Sequence, residues 1–228
     1  MSTTRTKHGA YHPWSVRTVV VRLSRKLTAT YRIRTGRMLS HLLAAMLSGF
    51  SPLVMSLPAD GNVVAGQATI TTPTANSMVV NQGSDKAILN WQSFNIGVGQ
   101  SVQFVQPNAA SAALNRVIGN NASKIYGSLS ANGQVFLINP FGVMFAPGAQ
   151  VNVGGLVASS LAISNEDFVA GRYTFSSNAG DNGSVVNHGS INTARGGYVL
   201  LAAPSVSNTG SITTNGDRKS TRLNSSHQ

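Results

Sequence analysis

The sequence predicts an all-β chain wound as a parallel β-helix, and three observations predict it. The first is the stretch from Asn115 to Ser160, NRVIGNNASKIYGSLSANGQVFLINPFGVMFAPGAQVNVGGLVASS. It is rich in Gly and Asn, and Arg116 and Lys124 are its only charged side chains. Its runs of Val, Ile, Leu and Phe are too short for stable helices, and the Gly and Asn between them favour strands joined by turns. The second is a period. Asn187-His188-Gly189-Ser190-Ile191 recurs 21 residues later as Asn208-Thr209-Gly210-Ser211-Ile212. The Gly spacings from 127 through 148, 171 and 189 to 210 run 21, 23, 18 and 21. The third is a longer echo. Gly127-Ser128-Leu129, then Asn132-Gly133, then VFLINP is matched by Gly189-Ser190-Ile191, then Gly196-Gly197, then YVLLAAP. A period in this range suits one coil of a solenoid.

The same central stretch closely resembles the secretion domain of filamentous haemagglutinin-like exoproteins, the passengers of two-partner secretion in Gram-negative bacteria. GNVVAGQATI upstream and GGYVLLAAPSVSNTGSI downstream resemble that family too, so the likeness runs from Leu57 to Asn215. It implies a right-handed parallel β-helix with an N-terminal β cap and small extra-helical hairpins. It also implies a module recognised by a cognate outer-membrane transporter through its periplasmic polypeptide-transport-associated domains. Such a module is secreted through the periplasm and nucleates folding outside the cell. The motif residues carried over are Asn115 and Arg116, then Asn139, Pro140, Gly142 and Val143. One position departs from the pattern. The family often reads Asn-Pro-Asn-Gly-Ile where this chain has Asn139-Pro140-Phe141-Gly142-Val143, which puts a side-chain amide contact in question.

Charge separates the chain into parts. Residues 1–56 hold nine Lys or Arg and no Asp or Glu. Residues 57–216 hold five basic and five acidic side chains, so the net charge of +11 lies mostly outside the expected fold. A nucleic-acid module needs its cations on the folded face that meets phosphate, so no nucleic-acid partner is expected. Cys is absent, which excludes disulfides and thiolate metal sites.

Taken in order, residues 1–56 combine a basic flank, an apolar run from Leu39 to Leu57 and a small-residue exit at Val54 and Ser56. These are the parts of an extended signal peptide, addressed to the inner-membrane general secretion machinery. A transmembrane anchor and a basic DNA-binding arm are the competing readings. Residues 57–216 form the expected secretion domain. Its first strands are expected at Ala68–Thr71, Met78–Val80, Ala87–Leu89 and Ser101–Val105. The resemblance implies that they cap an end that would otherwise expose strand edges. Trp91 and Phe94 are expected to pack this end. Pro107 to Ala113 reads as a loop. Arg116 has two readings, a carboxylate of the transporter, or local pairing with Asp85 or solvent. In the coils Val135, Leu137, Val143, Phe145, Val151, Val153 and Leu156 are expected to face inward and stack in rows.

Asn139-Pro140 reads as a turn, because Pro fixes φ and Asn can bond its own backbone. Gly142 would allow a positive φ there. The motif either shapes a coil corner or helps the transporter read the chain. Ser164 to Gly183 breaks the coil texture and is expected to be a loop or small hairpin. Asn187 and Asn208, one period apart, are expected to form an amide ladder. Residues 217–228 abandon the texture and resemble non-native sequence at a fragment end.

The rival class is a surface β-helix enzyme acting on carbohydrate, or a ligand-binding β-helix. Glycoside hydrolysis needs two suitably placed carboxylates. Glu166 and Asp167 are adjacent, which on a strand sends them to opposite faces. His188 occupies a slot that Thr209 fills one coil later. No catalytic constellation, metal site or cofactor is expected, and the chain is read as a monomer and not an enzyme.

Overall fold

A computed structural model describes residues 57–177 and 182–215. The chain starts with strands β1 (Asn62–Ala65), β2 (Ala68–Thr74), β3 (Ser77–Gln82) and β4 (Lys86–Trp91). The coils that follow carry β5 (Ser101–Val105), β6 (Ala112–Val117), β7 (Ser123–Ile125), β8 (Ser128–Ala131), β9 (Gln134–Ile138) and β10 (Val143–Phe145). After β11 (Gln150–Val153) and β12 (Gly155–Ser159) comes one short helix, α1 (Asn165–Ala170). The coils then resume with β13 (Ser184–Asn187), β14 (Ser190–Thr193), β15 (Val199–Ala202), β16 (Ser205–Asn208) and β17 (Ser211–Thr214).

From β3 onward successive strands go to different sheets. A seven-stranded sheet has the order β17-β14-β11-β8-β5-β3-β2, a six-stranded sheet β1-β4-β6-β9-β12-β15, and a four-stranded sheet β16-β13-β10-β7. This is a solenoid with six stacked turns, counted from β3 to β17 along the first sheet. All pairings between turns are parallel. The antiparallel pairs are β2 with β3 and β1 with β4, both at the N-terminal end. They occupy strand edges there that would otherwise be open to pairing with other chains.

The repeats seen in the sequence are the register of the stack. Asn187 faces Asn208, Ser190 faces Ser211 and Ile191 faces Ile212. Val135, Leu156 and Val199 align in three successive turns, which accounts for the VFLINP and YVLLAAP echo. Two of the glycines in that series do not mark the period. Gly171 ends α1 and belongs to no coil strand. Gly148 also stands one residue off, since Gln150 faces Ser128.

Each sheet presents one face to a shared core, so alternate residues stack in rows. Met78, Val102, Leu129, Val151, Ile191 and Ile212 make one such row across six strands. All seven residues expected to face inward lie in this core. Each large side chain fully buried contributes about 1.5–3 kcal/mol. Trp91 and Phe94 are also buried and meet edge to face at 5.5 Å. At one corner the turns approach so closely that only Gly fits. Gly154 N–H donates to Gly133 O at 2.7 Å, and a Cβ on Gly154 would lie 2.6 Å from that same oxygen. A Cβ on Gly197 would likewise run into Gly154 O, although the Gly197 N–H donates to Ala194 O.

Stacking of this kind predicts unequal costs for inward and outward positions. Leu129→Ala should lower stability by about 2–5 kcal/mol in urea unfolding. Gln103→Ala on the exposed face of the same sheet should change it by no more than about 0.5 kcal/mol.

Candidate functional site

The Asn139-Pro140-Phe141-Gly142 segment forms the corner between β9 and β10. Gly142 N–H donates to Asn139 O at 2.8 Å and closes a four-residue turn. Asn139 Oδ1 accepts from Phe141 N–H at 3.0 Å, so the side chain braces the turn from inside. Its Nδ2 donates to Asn121 O and to Ser123 Oγ, both at 3.0 Å, in the turn below. Gly142 has φ +104, and a Cβ there would lie 2.6 Å from Ser184 O of the turn above. Gly183 N–H donates to Pro140 O at 3.0 Å. One corner is thus bonded to the coils on both sides. Phe141 contributes its backbone N–H and leaves its ring 51% exposed, so the missing family amide does not open the turn.

Asn115 lies in an otherwise apolar inward row, between Leu89 and Leu137. It is fully buried. Its Oδ1 accepts from Trp91 Nε1 at 3.0 Å, and its Nδ2 reaches Ala113 O and Phe136 O, each at 3.3 Å. Burial of an amide without partners would cost several kcal/mol at the apolar extreme; these partners offset that cost. Arg116 points to the opposite face. Its guanidinium donates to Ile163 O at 2.8 Å and to Asn165 Oδ1 at 2.9 Å. Burial lowers its pKa, and the charge of Glu166 acts the other way. Asp85 instead accepts from Asn108 Nδ2 at 3.0 Å.

The six motif residues fall into two groups. Asn139, Pro140, Gly142 and Val143 share the β9–β10 corner. Asn115 and Arg116 sit on β6, one facing the core and one facing outward. Asn115, Asn139 and Val143 are at most 1% exposed, so nothing can touch their side chains once the coils have formed.

Among the described residues the acidic side chains do not gather around a reaction centre. Glu166 and Asp167 lie in the first turn of α1, where a strand-based reading does not apply, and Asp167 pairs with Arg172 at 2.8 Å. Asp181 lies outside the described residues. His188 is exposed and bonds Thr209 one turn on. Burial raises the pKa of Tyr173 and of Tyr198. Among the described residues no three His, Cys, Asp or Glu side chains are grouped to hold a metal ion. The expected ladder is present, with Asn187 Nδ2 donating to Asn208 Oδ1 at 2.8 Å.

What the sequence reading missed is α1 and the residues that hold it. The signal was available. Ser164 stands three residues before Asp167, and Gly171 follows the last helical residue, a start and a stop for a short helix.

Comparison with known proteins agrees with this geometry. A family model, the TPS secretion domain, matches residues 56–223. The chain is similar to a heme/hemopexin-binding protein of Haemophilus influenzae, 50% identical over 103 residues, covering 45% of this chain and 11% of that protein. A second protein of that name from the same species is 46% identical over 104 residues. The matched stretch again spans 11% of the relative's length. Among solved structures the chain is similar to the HMW1 secretion domain from Haemophilus influenzae, with a TM-score of 0.64 and 39% identity. That match covers 69% of this chain and 42% of the other.

The corner makes opposite predictions for two neighbours. Asn139→Ala strands buried partners and should cost about 1–3 kcal/mol in urea unfolding. Phe141→Asn should stay within about 0.5 kcal/mol of the parent.

Proposed function

This chain belongs to the TPS secretion domain family, and on that premise we propose how its fold serves export. The module is the secretion portion of a large exported exoprotein, and its family implies a cognate outer-membrane transporter as partner. Proteins with this domain are exported to the cell surface or beyond it. In our reading residues 1–56 direct the chain to the inner-membrane general secretion machinery and are removed. Residues 57–216 then cross the periplasm unfolded, engage polypeptide-transport-associated domains of the transporter, and emerge first. Residues 217–228 take no part.

Outside the cell each coil offers the next a ready strand edge, since parallel strands find their hydrogen-bond partners only in a neighbour. Folding there biases the chain outward without a nucleotide. We assign the motif residues a role through the fold. The observation that carries this assignment is the burial of Asn115, Asn139 and Val143. A transporter that reads them directly must do so before the coils close. No catalytic role is assigned, and adhesion, haemolysis or toxin delivery would belong to other parts of the exoprotein.

The test is release of the chain from cells with and without the partner transporter. Release is expected only with it, and partner-independent release would contradict the reading. Asn139→Ala should lose release in proportion to its lost stability. A variant as stable as the parent yet not released would instead indicate direct contact.

A further inference from the structure

The excursion after β12 is built as a closed unit. Ala162 and Ser176 exchange backbone hydrogen bonds at 2.8 and 2.9 Å, which pins its neck. Between them Ser164 Oγ accepts from Asp167 N–H at 3.0 Å and Gly171 ends α1 in the left-handed conformation. A helix of six residues is too short to persist alone. It depends on what lies beneath it.

Beneath it is the outward face of the six-stranded sheet. Ile88, Leu114, Phe136, Val157 and Leu200 form one row there, a residue from each of β4, β6, β9, β12 and β15. The fully buried Phe168 of α1 packs in this cluster and meets Phe136 edge to face at 5.3 Å. Two cations hold the excursion, and both come from early coils. Lys86 of β4 donates to Val169 O at 2.8 Å, a carbonyl at the helix end, and to Phe168 O at 3.1 Å, which it shares with the Gly171 N–H. Arg116 of β6 holds the entry side through Ile163 O and Asn165. Phe168 lies 82 residues after Lys86.

A solenoid ordinarily couples each coil only to its neighbours, so its ends open independently. We propose that the described part of this excursion, Leu161 to Ser177, is a latch. It docks only when β4, β6, β9 and β12 are stacked, and once docked it makes the first and fourth of these strands open together. On the export reading above, this latch would make the emerged coils resist unravelling as a block.

The test is position-resolved amide hydrogen exchange on the purified full chain, compared with Phe168→Ala and Lys86→Gln. In the parent, β4, β6, β9 and β12 should share one protection level within about threefold, as one cooperative unit. In both variants the excursion should become cleavable by protease, and protection of β4 and β12 should separate by about tenfold or more. The latch is overturned if the four strands stay together in the variants, or already differ by that margin in the parent. Should Phe168→Ala fail to fold, Lys86→Gln carries the comparison, because it removes two peripheral hydrogen bonds and no core packing. The transporter is absent from this experiment, so a negative result leaves transporter-dependent release unaffected.

Discussion

A parallel strand leaves its N–H and C=O groups unpaired until a neighbour one turn away supplies their partners. The rest of this structure depends on that constraint. It forces each strand to lie in register on the one a turn before it, whatever length of chain joins them. The Gly133, Gly154 and Gly197 column follows from it, because backbones brought this close leave no room for a Cβ. The antiparallel pairs at the N-terminal end follow as well, since among the described residues no earlier coil pairs with the first.

Apolar rows alone specify register weakly along the stack, because one Val fits over another almost anywhere. Buried amides sharpen it. Asn115 is tied to Trp91 and Phe136, Asn139 to Asn121 and Ser123, and Asn187 to Asn208. A coil shifted by one residue would break these bonds and bury their donors unpaired, at a cost of about 1–3 kcal/mol each. Residues of this kind look like recognition motifs in a sequence because they are polar and regularly placed. In the folded module their side chains face inward, and the chemistry open to a partner lies elsewhere.

Much of the solenoid was legible in the sequence because its period is written in whole strings. The Asn187 and Asn208 repeats fall on paired positions, and the inward Val, Leu and Phe residues alternate as strands require. The Asn139-Pro140 turn was legible for a local reason, since its conformation is set by the residues within it. The excursion was read as a loop or hairpin because a six-residue helix carries almost no periodic signal. Its stability comes from Lys86 and Arg116, 82 and 47 residues away from the atoms they bond, and such contacts leave no local trace. Arg116 shows the same limit. Its outward position suited either a partner or Asp85, and only the fold brings Asn165 to it.

Engineered disulfides test the in-register stack most directly, in a chain that has no Cys of its own. Asn152 and Asn192 face each other in adjacent turns, whereas Thr213 lies one turn beyond Asn192. Neighbouring strands stand about 4.8 Å apart, within disulfide reach, and a two-turn separation is about twice that and beyond it. The Asn152→Cys, Asn192→Cys pair should therefore oxidise readily in the folded chain, while Asn152→Cys with Thr213→Cys should stay reduced. Equal oxidation of both pairs would contradict a fixed stack and the account built on it.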